Sequence, residues 1–390
     1  MSQPLAGVVV AAMEQAVAAP FATRQLADLG ARVIKVERPG TGDFARSYDT
    51  TVSGMSSAFV WLNRGKESLE LDVKTVAGRQ VLDALLEQAD VFVHNIAPAA
   101  ARRLGVDTGT LTARFPRLIT GAVSGYGNSG PLADAKAYDL LIQGETGIMS
   151  ITGTPSDAAK VGVSIADISA GMYLYSSVLA ALMHRNRTGE VLPVEVSLFD
   201  SLTEWLGYPM HYTMGSGRLP ARMGTNHSTL APYGAFESDS GAKILLAVQN
   251  DREWGRFCEF VLLTPDLTFD SRFATPQQRL NNRVELDELI RRCLCQLDHA
   301  VVVQRLDHAS IAHARLNDIS ALANHEQIVS RGRWIATDSP VGALSTMLPP
   351  WTPPDTPSYG GIPALGQHTQ QILDWLGFRG DDSPNNGGAA

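Results

Sequence analysis

The stretch GVVVAAMEQAVAAPFATRQLADLGARVIKVE (7–37) reads as strand, helix, strand. Gly7–Ala12 is a short apolar run rich in valine, which suits a pleated, buried strand. Across Gln15–Leu29, Phe21, Leu26 and Leu29 fall at helical spacing, and Gly30 supplies the residue that ends a helix. ARVIKVE (31–37) is a second β-branched run, followed by the turn residues RPGTGD (38–43). The same alternation continues: Thr75–Gln88 reads as a helix, ADVFVHN (89–95) as a strand, Asp107–Phe115 as a helix and RLITGAV (117–123) as a strand. Strands that alternate with helices predict a parallel sheet covered on both faces, with ligands bound at the carboxyl ends of the strands. Here those ends are the loops 38–46, 95–103 and 124–139.

Further along, LPVEVSLFD (192–200) predicts one more strand, leading into a helix toward Tyr212. Residues 215–234 are rich in Gly, Pro, Ser and Thr and mark a boundary. A second unit follows, with a strand at AKILLAV (242–248) and helices near 251–262, 276–295 and 298–309. The Pro- and Gly-rich segment 339–365 lacks periodicity and predicts an extended connection. A short helix at Gln367–Leu376 precedes a polar tail, Gly380–Ala390, of disordered composition. The expected organisation is therefore a large α/β domain over 1–214, a smaller α+β domain over 215–335, a return segment over 336–379 and a tail over 380–390.

The longest helical pattern is KVGVSIADISAGMYLYSSVLAALMHRNRTG (160–189). Met172, Leu174, Val178, Leu179, Leu182 and Met183 recur at helical spacing and the pattern stops at Gly189. Asp167 is expected at the mouth of this helix, where free backbone N–H groups and the helix dipole favour a negative charge. Taken alone, the segment favours an ordinary N-cap. The small residues Ser169, Ala170 and Gly171 behind it also fit an ionised, exposed carboxylate that acts as a nucleophile.

Composition narrows the classes. A chain of 390 residues with 44% hydrophobic and 18% charged residues is that of a globular protein with a large core. A net charge of −8 argues against a general nucleic-acid binder. Three cysteines, Cys258, Cys293 and Cys295, make no disulfide framework and fit a reducing cytoplasm. The Cys293–Cys295 pair lacks a second ligand pair and reads as packing, and the histidines show no metal-ligand spacing. The N-terminus has no basic leader, and its apolar run is too short to span a membrane.

Several cofactor and catalytic signatures are missing. No GxGxxG lies between the first strand and its helix, no Walker lysine motif occurs, and GAVSG (121–125) misses the spacing of a nucleophile elbow. Basic residues instead gather on the predicted ligand loops: Arg38, Arg46, Arg64, Lys66, Lys74, Arg102, Arg103 and Lys136. On an acidic protein this grouping favours a phosphate-bearing small molecule.

Six segments occur in a fixed order: EQAVAAPFATRQLADLGARVIKVERPGTGDFAR (14–46), LNRGKESLELDVK (62–74), ADVFVHN (89–95), SGYGNSGP (124–131), AYDLLIQGETGIMSITG (137–153) and the Asp167 helix. Together with GIPALGQHTQQIL (361–373) they resemble the class III CoA-transferases, the family of formyl-CoA transferase, carnitine CoA-transferase and α-methylacyl-CoA racemase. The resemblance implies a Rossmann-like large domain built from both chain ends and a smaller domain inserted late in the sequence. It also implies a homodimer whose two chains interlock like links. By the same resemblance, Asp167 in IADISAGM carries the acyl group. Arg38 packs on the CoA adenine, while Asn95, Ala100, Arg103 and Leu104 form a CoA-contacting loop. Lys136 and Tyr138 hold CoA and the acyl end, and Lys74 joins the phosphate contacts. Coenzyme A is then substrate and product, with no permanently bound cofactor, and the expected location is cytoplasmic.

Two positions depart from the formyl-CoA transferases. Their glycine run over the site is matched here by GTNHSTL (224–230), and their Gln before the first-helix proline is replaced by Val17, with Gln15 two residues earlier. An acyl-CoA racemase of the same fold is the nearest rival, but those enzymes place a His before the Asp of the 137–139 segment, where Tyr138 stands. A CoA-binding protein without turnover is the other rival, and it has no need of Asp167. The 14–40 segment most resembles the subgroup that uses succinyl-CoA and C4–C5 dicarboxylates such as itaconate or citramalate. For the distal carboxylate, Arg222, His227, Ser228 and Thr229 are the expected partners, with Gln15 a further candidate.

Overall fold

Three short runs read as strands, Val9–Met13, Arg32–Glu37 and Val91–His94, line up side by side as parallel strands. The computed structural model describes residues 3–352 and 359–378. They fall into two compact units, one drawn from 3–148, 161–208, 331–352 and 359–378, the other from 149–160 and 209–330. The sequence boundaries at 214 and 335 differ from these limits by a few residues, and they leave 149–160 outside the second unit. The proposed tail over 380–390 lies outside the described residues.

The first unit is built on a six-stranded sheet in the order β3-β2-β1-β4-β5-β6. Its strands are β1 (Val9–Met13), β2 (Arg32–Glu37), β3 (Lys66–Glu70), β4 (Val91–His94), β5 (Ile119–Ser124) and β6 (Val194–Ser197). They alternate with α1 (Ala18–Asp28), α2 (Ser57–Leu62), α3 (Val76–Gln88), α4 (Pro98–Leu104), α5 (Thr108–Arg114), α6 (Asp139–Glu145) and α7 (Ile165–Thr188). All neighbouring pairs are parallel. Strand order reverses between β1 and β4, which opens a crevice beyond their carboxyl ends where such sheets bind ligands. The predicted α/β class is the observed one.

Both faces of the sheet are covered. On one, Val10, Val33 and Val93 pack with Ala22 and Leu26 of α1 and Leu174 and Val178 of α7. On the other, Ala11, Ile34 and Phe92 pack with Leu82 and Leu85 of α3 and with Ile372 and Leu373 near the C-terminal end. Helices α1 and α7 touch closely, because a Cβ at Gly171 would lie 2.6 Å from the Ala18 carbonyl oxygen. By length and composition α7 is long and apolar enough to cross a membrane. In the structure its Ala166, Ala170, Leu174, Val178 and Ala181 are buried in this core.

Three elements differ from expectation. Helix α1 starts at Ala18 rather than Gln15, because Ala16 takes a left-handed φ of 62° and turns the chain before the helix. The predicted 276–295 helix is interrupted at Asn282. Part of the aperiodic 339–365 segment is β-structure: Leu344–Met347 pairs antiparallel with Trp334–Thr337. Side-chain periodicity does not report a two-stranded ribbon this short.

The second unit has its own core. Three antiparallel strands, Tyr233–Glu237, Lys243–Ala247 and Ala312–Arg315, pack Phe236, Ile244 and Leu246 with Trp254, Phe257, Phe273, Leu286 and Ile290. Only the middle strand was evident from the sequence.

A cluster of buried charges sits under the first three strand ends. Glu14 takes the Lys35 ammonium at 3.2 Å, the Lys66 ammonium at 2.6 Å and the Thr23 hydroxyl at 2.6 Å. Lys35 also reaches Asp43 at 2.8 Å, and Lys66 donates to Asn63 and to the Pro20 carbonyl. Burial works against the Glu14 charge, but the two ammoniums outweigh it and hold its carboxyl down at about 2. Lys66, with burial dominant, is pushed down to about 8. Removing one member strands the others without solvent. Glu14→Gln is therefore predicted to lower folding stability by about 3–5 kcal/mol in urea titrations. A loss below about 1 kcal/mol contradicts the assignment. In the wild type, a carboxyl with a depressed folded value adds stability above its unfolded value near 4.5. That contribution is lost as the pH falls toward about 2.

Candidate active site

The carboxyl ends of β1, β2 and β4 are tied together by hydrogen bonds. After β1 the chain turns through Gln15 and Ala16. The Ala16 N–H donates to Asp43 at 2.9 Å, which holds the left-handed turn against the loop after β2. Asn95, just past β4, accepts the Gln15 N–H at 2.9 Å and donates to the Gln15 carbonyl at 2.7 Å. The Gln15 side chain in turn accepts from Arg38 at 3.2 Å, and the Arg38 guanidinium lies over Phe44 with 4.6 Å to the ring centre. Gln15, Arg38 and Asn95, three residues singled out from the sequence, are thus directly linked at the point where strand order reverses.

The remaining expected CoA contacts lie on neighbouring loops. Ala100, Arg103 and Leu104 ride on α4, which is closed by Gly105 in the left-handed region. Lys74 precedes the Thr75 cap of α3, and Lys136 precedes α6, both exposed. Lys74, Arg103 and Lys136 have no ion-pair partner among the described residues. The cationic grouping read from the sequence is smaller than expected. Arg46 makes paired bonds to Glu37, Arg64 to Asp28, and Lys66 is fully buried on Glu14. Those three cations hold the fold. Their acidic partners lie up to 52 residues away in the chain, so local spacing could not reveal them.

Asp167 does not cap its helix. Helix α7 begins at Ile165, with Asp167 in its first turn. The free N–H groups of Ala166 and Asp167 are taken by the carboxylate of Asp139, at 2.8 and 3.3 Å. Asp139 opens α6, directly after Tyr138, and its second oxygen accepts from Gln143 at 2.7 Å. The other end of the Gln143 amide accepts the Val161 N–H at 2.8 Å. Asp139 and Gln143, one helical turn apart, therefore clamp the 161–167 segment.

This arrangement reverses the expected electrostatics of Asp167. Burial first, and the Asp139 carboxylate second, push its carboxyl up to about 7, so at neutral pH it is not held fully ionised by the helix end. Tyr48 was not singled out from the sequence. Its half-exposed phenol is pushed up by burial and by the negative charges of Asp43 and Asp167, with Tyr138 also acting on it. It therefore sits among the loops that carry Asp167 and Tyr138. An aromatic residue on the predicted 38–46 ligand loop or just beyond it was the available signal.

In the second unit, the 222–230 segment is fixed at both ends. Arg222 donates to the carbonyls of Ser150, Thr154 and Pro155, so its guanidinium anchors the loop to main chain rather than standing ready for an acid. The Gly224 N–H bonds the Gly153 carbonyl. Arg283 donates to the carbonyls of His227, Leu230 and Tyr233. The His227 ring stacks on Tyr233 at 4.9 Å, and its Nδ1 accepts the Thr229 N–H at 3.2 Å, which leaves the ring proton on Nε2. Ser228 and Thr229 are exposed.

A raised carboxyl makes a stability prediction. Between its unfolded value of 3.8 and about 7, Asp167 keeps in the folded state a proton that the unfolded chain has lost. Stability contributed by this group therefore falls as pH rises through that window. Asp167→Asn is predicted to be more stable than wild type by on the order of 1–2 kcal/mol at pH 8, with the gap closing by pH 4. Thermal unfolding across this range checks it, and a gap independent of pH contradicts it.

Residues 5–369 match the family model described as CoA-transferase family III. The chain is 32% identical over 384 residues to the succinate–glutarate CoA-transferase of Agrobacterium fabrum, covering 95% of each chain. It is 33% identical over 334 residues to the acetyl-CoA:oxalate CoA-transferase of Acetobacter aceti, covering 85% of each. A CAIB/BAIF family protein from Brucella suis superposes with a TM-score of 0.86 at 30% identity, over 96% of this chain and 100% of that one. A match that runs from the first strand to the last helix leaves one conclusion: this chain belongs to CoA-transferase family III, and it is a CoA-transferase.

Proposed function

We propose that the protein moves CoA from succinyl-CoA to a C4–C5 dicarboxylic acid, with Asp167 as the covalent carrier. The observation that carries this reading is the placement of Asp167 in the first turn of α7, its carboxylate set aside from capping by Asp139. A carboxylate whose oxygens are not engaged by its own helix is available as a nucleophile.

The steps balance without an added energy source. The Asp167 carboxylate attacks the thioester carbonyl and releases the CoA thiolate, leaving a mixed anhydride. The thiolate attacks the Asp167 carbonyl carbon, which gives an aspartyl-CoA thioester and free succinate. The acceptor carboxylate opens that thioester into a second anhydride, and the thiolate then takes the acceptor acyl group and frees Asp167. A carboxyl raised to about 7 is a more basic, better nucleophile once ionised.

Arg38, Lys74, Asn95, Ala100, Arg103, Leu104, Lys136 and Tyr138 are proposed as CoA contacts. The link from Gln15 to Arg38 and Asn95 supports grouping them at one crevice. Relatives named for glutarate and for oxalate support a dicarboxylate acceptor, with itaconate and citramalate the first to try. His227, Ser228 and Thr229 are proposed to select among acids. Ala variants there should change KM between dicarboxylate and monocarboxylate acceptors, and an unchanged ratio rejects the assignment.

An interlocked homodimer in the cytoplasm belongs to the same reading. The helix Gly207–Ser216 buries none of its residues within the chain although it carries Met210 and Met214, which suits a surface covered by a second copy. Intact-protein mass after addition of succinyl-CoA without acceptor tests the function. A CoA-sized adduct is expected on wild type and absent from Asp167→Ala. No adduct from succinyl-CoA or from a panel of other acyl-CoAs overturns the proposal.

A further inference from the structure

We infer that Asp139 is a positioning residue for the reaction, whose charge stands against ionised Asp167 and so favours each covalent, uncharged form of that side chain. The inference rests on the proposed role of Asp167. Its basis is geometric. Asp139 Oδ1 accepts both the Ala166 and the Asp167 N–H, so it occupies the positive end of α7 that would otherwise steady the Asp167 carboxylate. Asp139 is itself fixed by Gln143, and the other end of that amide holds Val161, so the clamp cannot swing aside without loosening the start of α7.

The charges acting on Asp167 are few. Asp139 approaches from α6 and opposes the Asp167 charge, while the Tyr48 phenol, raised in part by Asp167, stays protonated at neutral pH and brings no charge of its own. No cation offsets it among the described residues. Protonation, anhydride formation and aspartyl-CoA formation each remove that negative charge. In the covalent cases it departs with the CoA thiolate and then with succinate. The same repulsion energy is therefore released whichever route neutralises Asp167. A charge-to-charge interaction worth one unit in the Asp167 titration must also be worth tenfold in the equilibrium between free enzyme and aspartyl-CoA.

Asp139→Asn tests this, because the amide oxygen preserves the cap while the charge is removed. Two readouts are compared in the full-length protein. One is the acid limb of kcat/KM against pH, with succinyl-CoA as donor and glutarate as acceptor. The other is the succinate concentration that reverses half of the CoA adduct formed from succinyl-CoA. In the variant the acid limb is expected to move down by about one unit, and the succinate midpoint to fall by the matching factor of about ten. At pH 8.5, where both enzymes are ionised, turnover should be severalfold slower. An unmoved limb and midpoint in Asp139→Asn overturn the inference and leave Asp139 as a cap only. Asp139→Ser, which caps through a hydroxyl, repeats the test should the amide adopt the opposite orientation. Absence of any adduct in the wild type is a separate result and removes the Asp167 assignment instead.

Discussion

Two carboxylates and two ammoniums, Glu14, Asp43, Lys35 and Lys66, are shut inside the first unit beneath the ends of β1, β2 and β3. Burying four charges is tolerable only if each is matched, and here every one has a partner within 3.2 Å. The consequence is positional. Glu14 fixes the end of β1, Asp43 holds Ala16 in a left-handed turn, and that turn delivers Gln15 to Asn95 and Arg38. A hydrophobic replacement of equal volume would hold the strands together as well, but it would not specify where the loops above them go.

The layers of the fold were open to reading from the chain. The alternation of β-branched runs with helical spacing reports a parallel sheet, because burial on both faces demands continuous apolar strands. What could not be read depends on partners distant in sequence. Lys66 looked like a phosphate ligand because its carboxylate, Glu14, lies 52 residues away. Asp167 looked like a cap because Asp139, which does the capping, precedes Ala166 by 27 residues. Arg222 looked like a cation for a substrate because nothing local shows that three carbonyls of the 150–155 stretch await it. The short strands Tyr233–Glu237 and Ala312–Arg315 were missed for a similar reason, since their stability comes from the neighbour between them. Family resemblance pointed to Asp167, Arg38 and Asn95, and it did not single out Tyr48.

Asp167 joins these levels. Its helix is placed by close contact with α1 at Gly171, and α1 is placed by the turn over the buried charges. Its protonation is then set by burial and by Asp139. The protein thus keeps a carboxylate in an environment that suits an uncharged form of the side chain better than the free anion. An enzyme that stores an acyl group on a side chain benefits from that bias, while an ordinary N-cap aspartate has the opposite one.

Passage of the acyl group through Asp167 moves oxygen atoms. The Asp167 oxygen that attacks the donor leaves with the released acid, and an oxygen of the acceptor takes its place. The most direct test is turnover of succinyl-CoA with ¹⁸O-labelled succinate, followed by digestion and mass measurement of the peptide that contains Asp167. Heavy oxygen is predicted to accumulate in that one side chain, only when both substrates are present. A peptide that stays unlabelled while CoA exchange proceeds would mean that acceptor attacks donor directly, and that Asp167 is not the carrier.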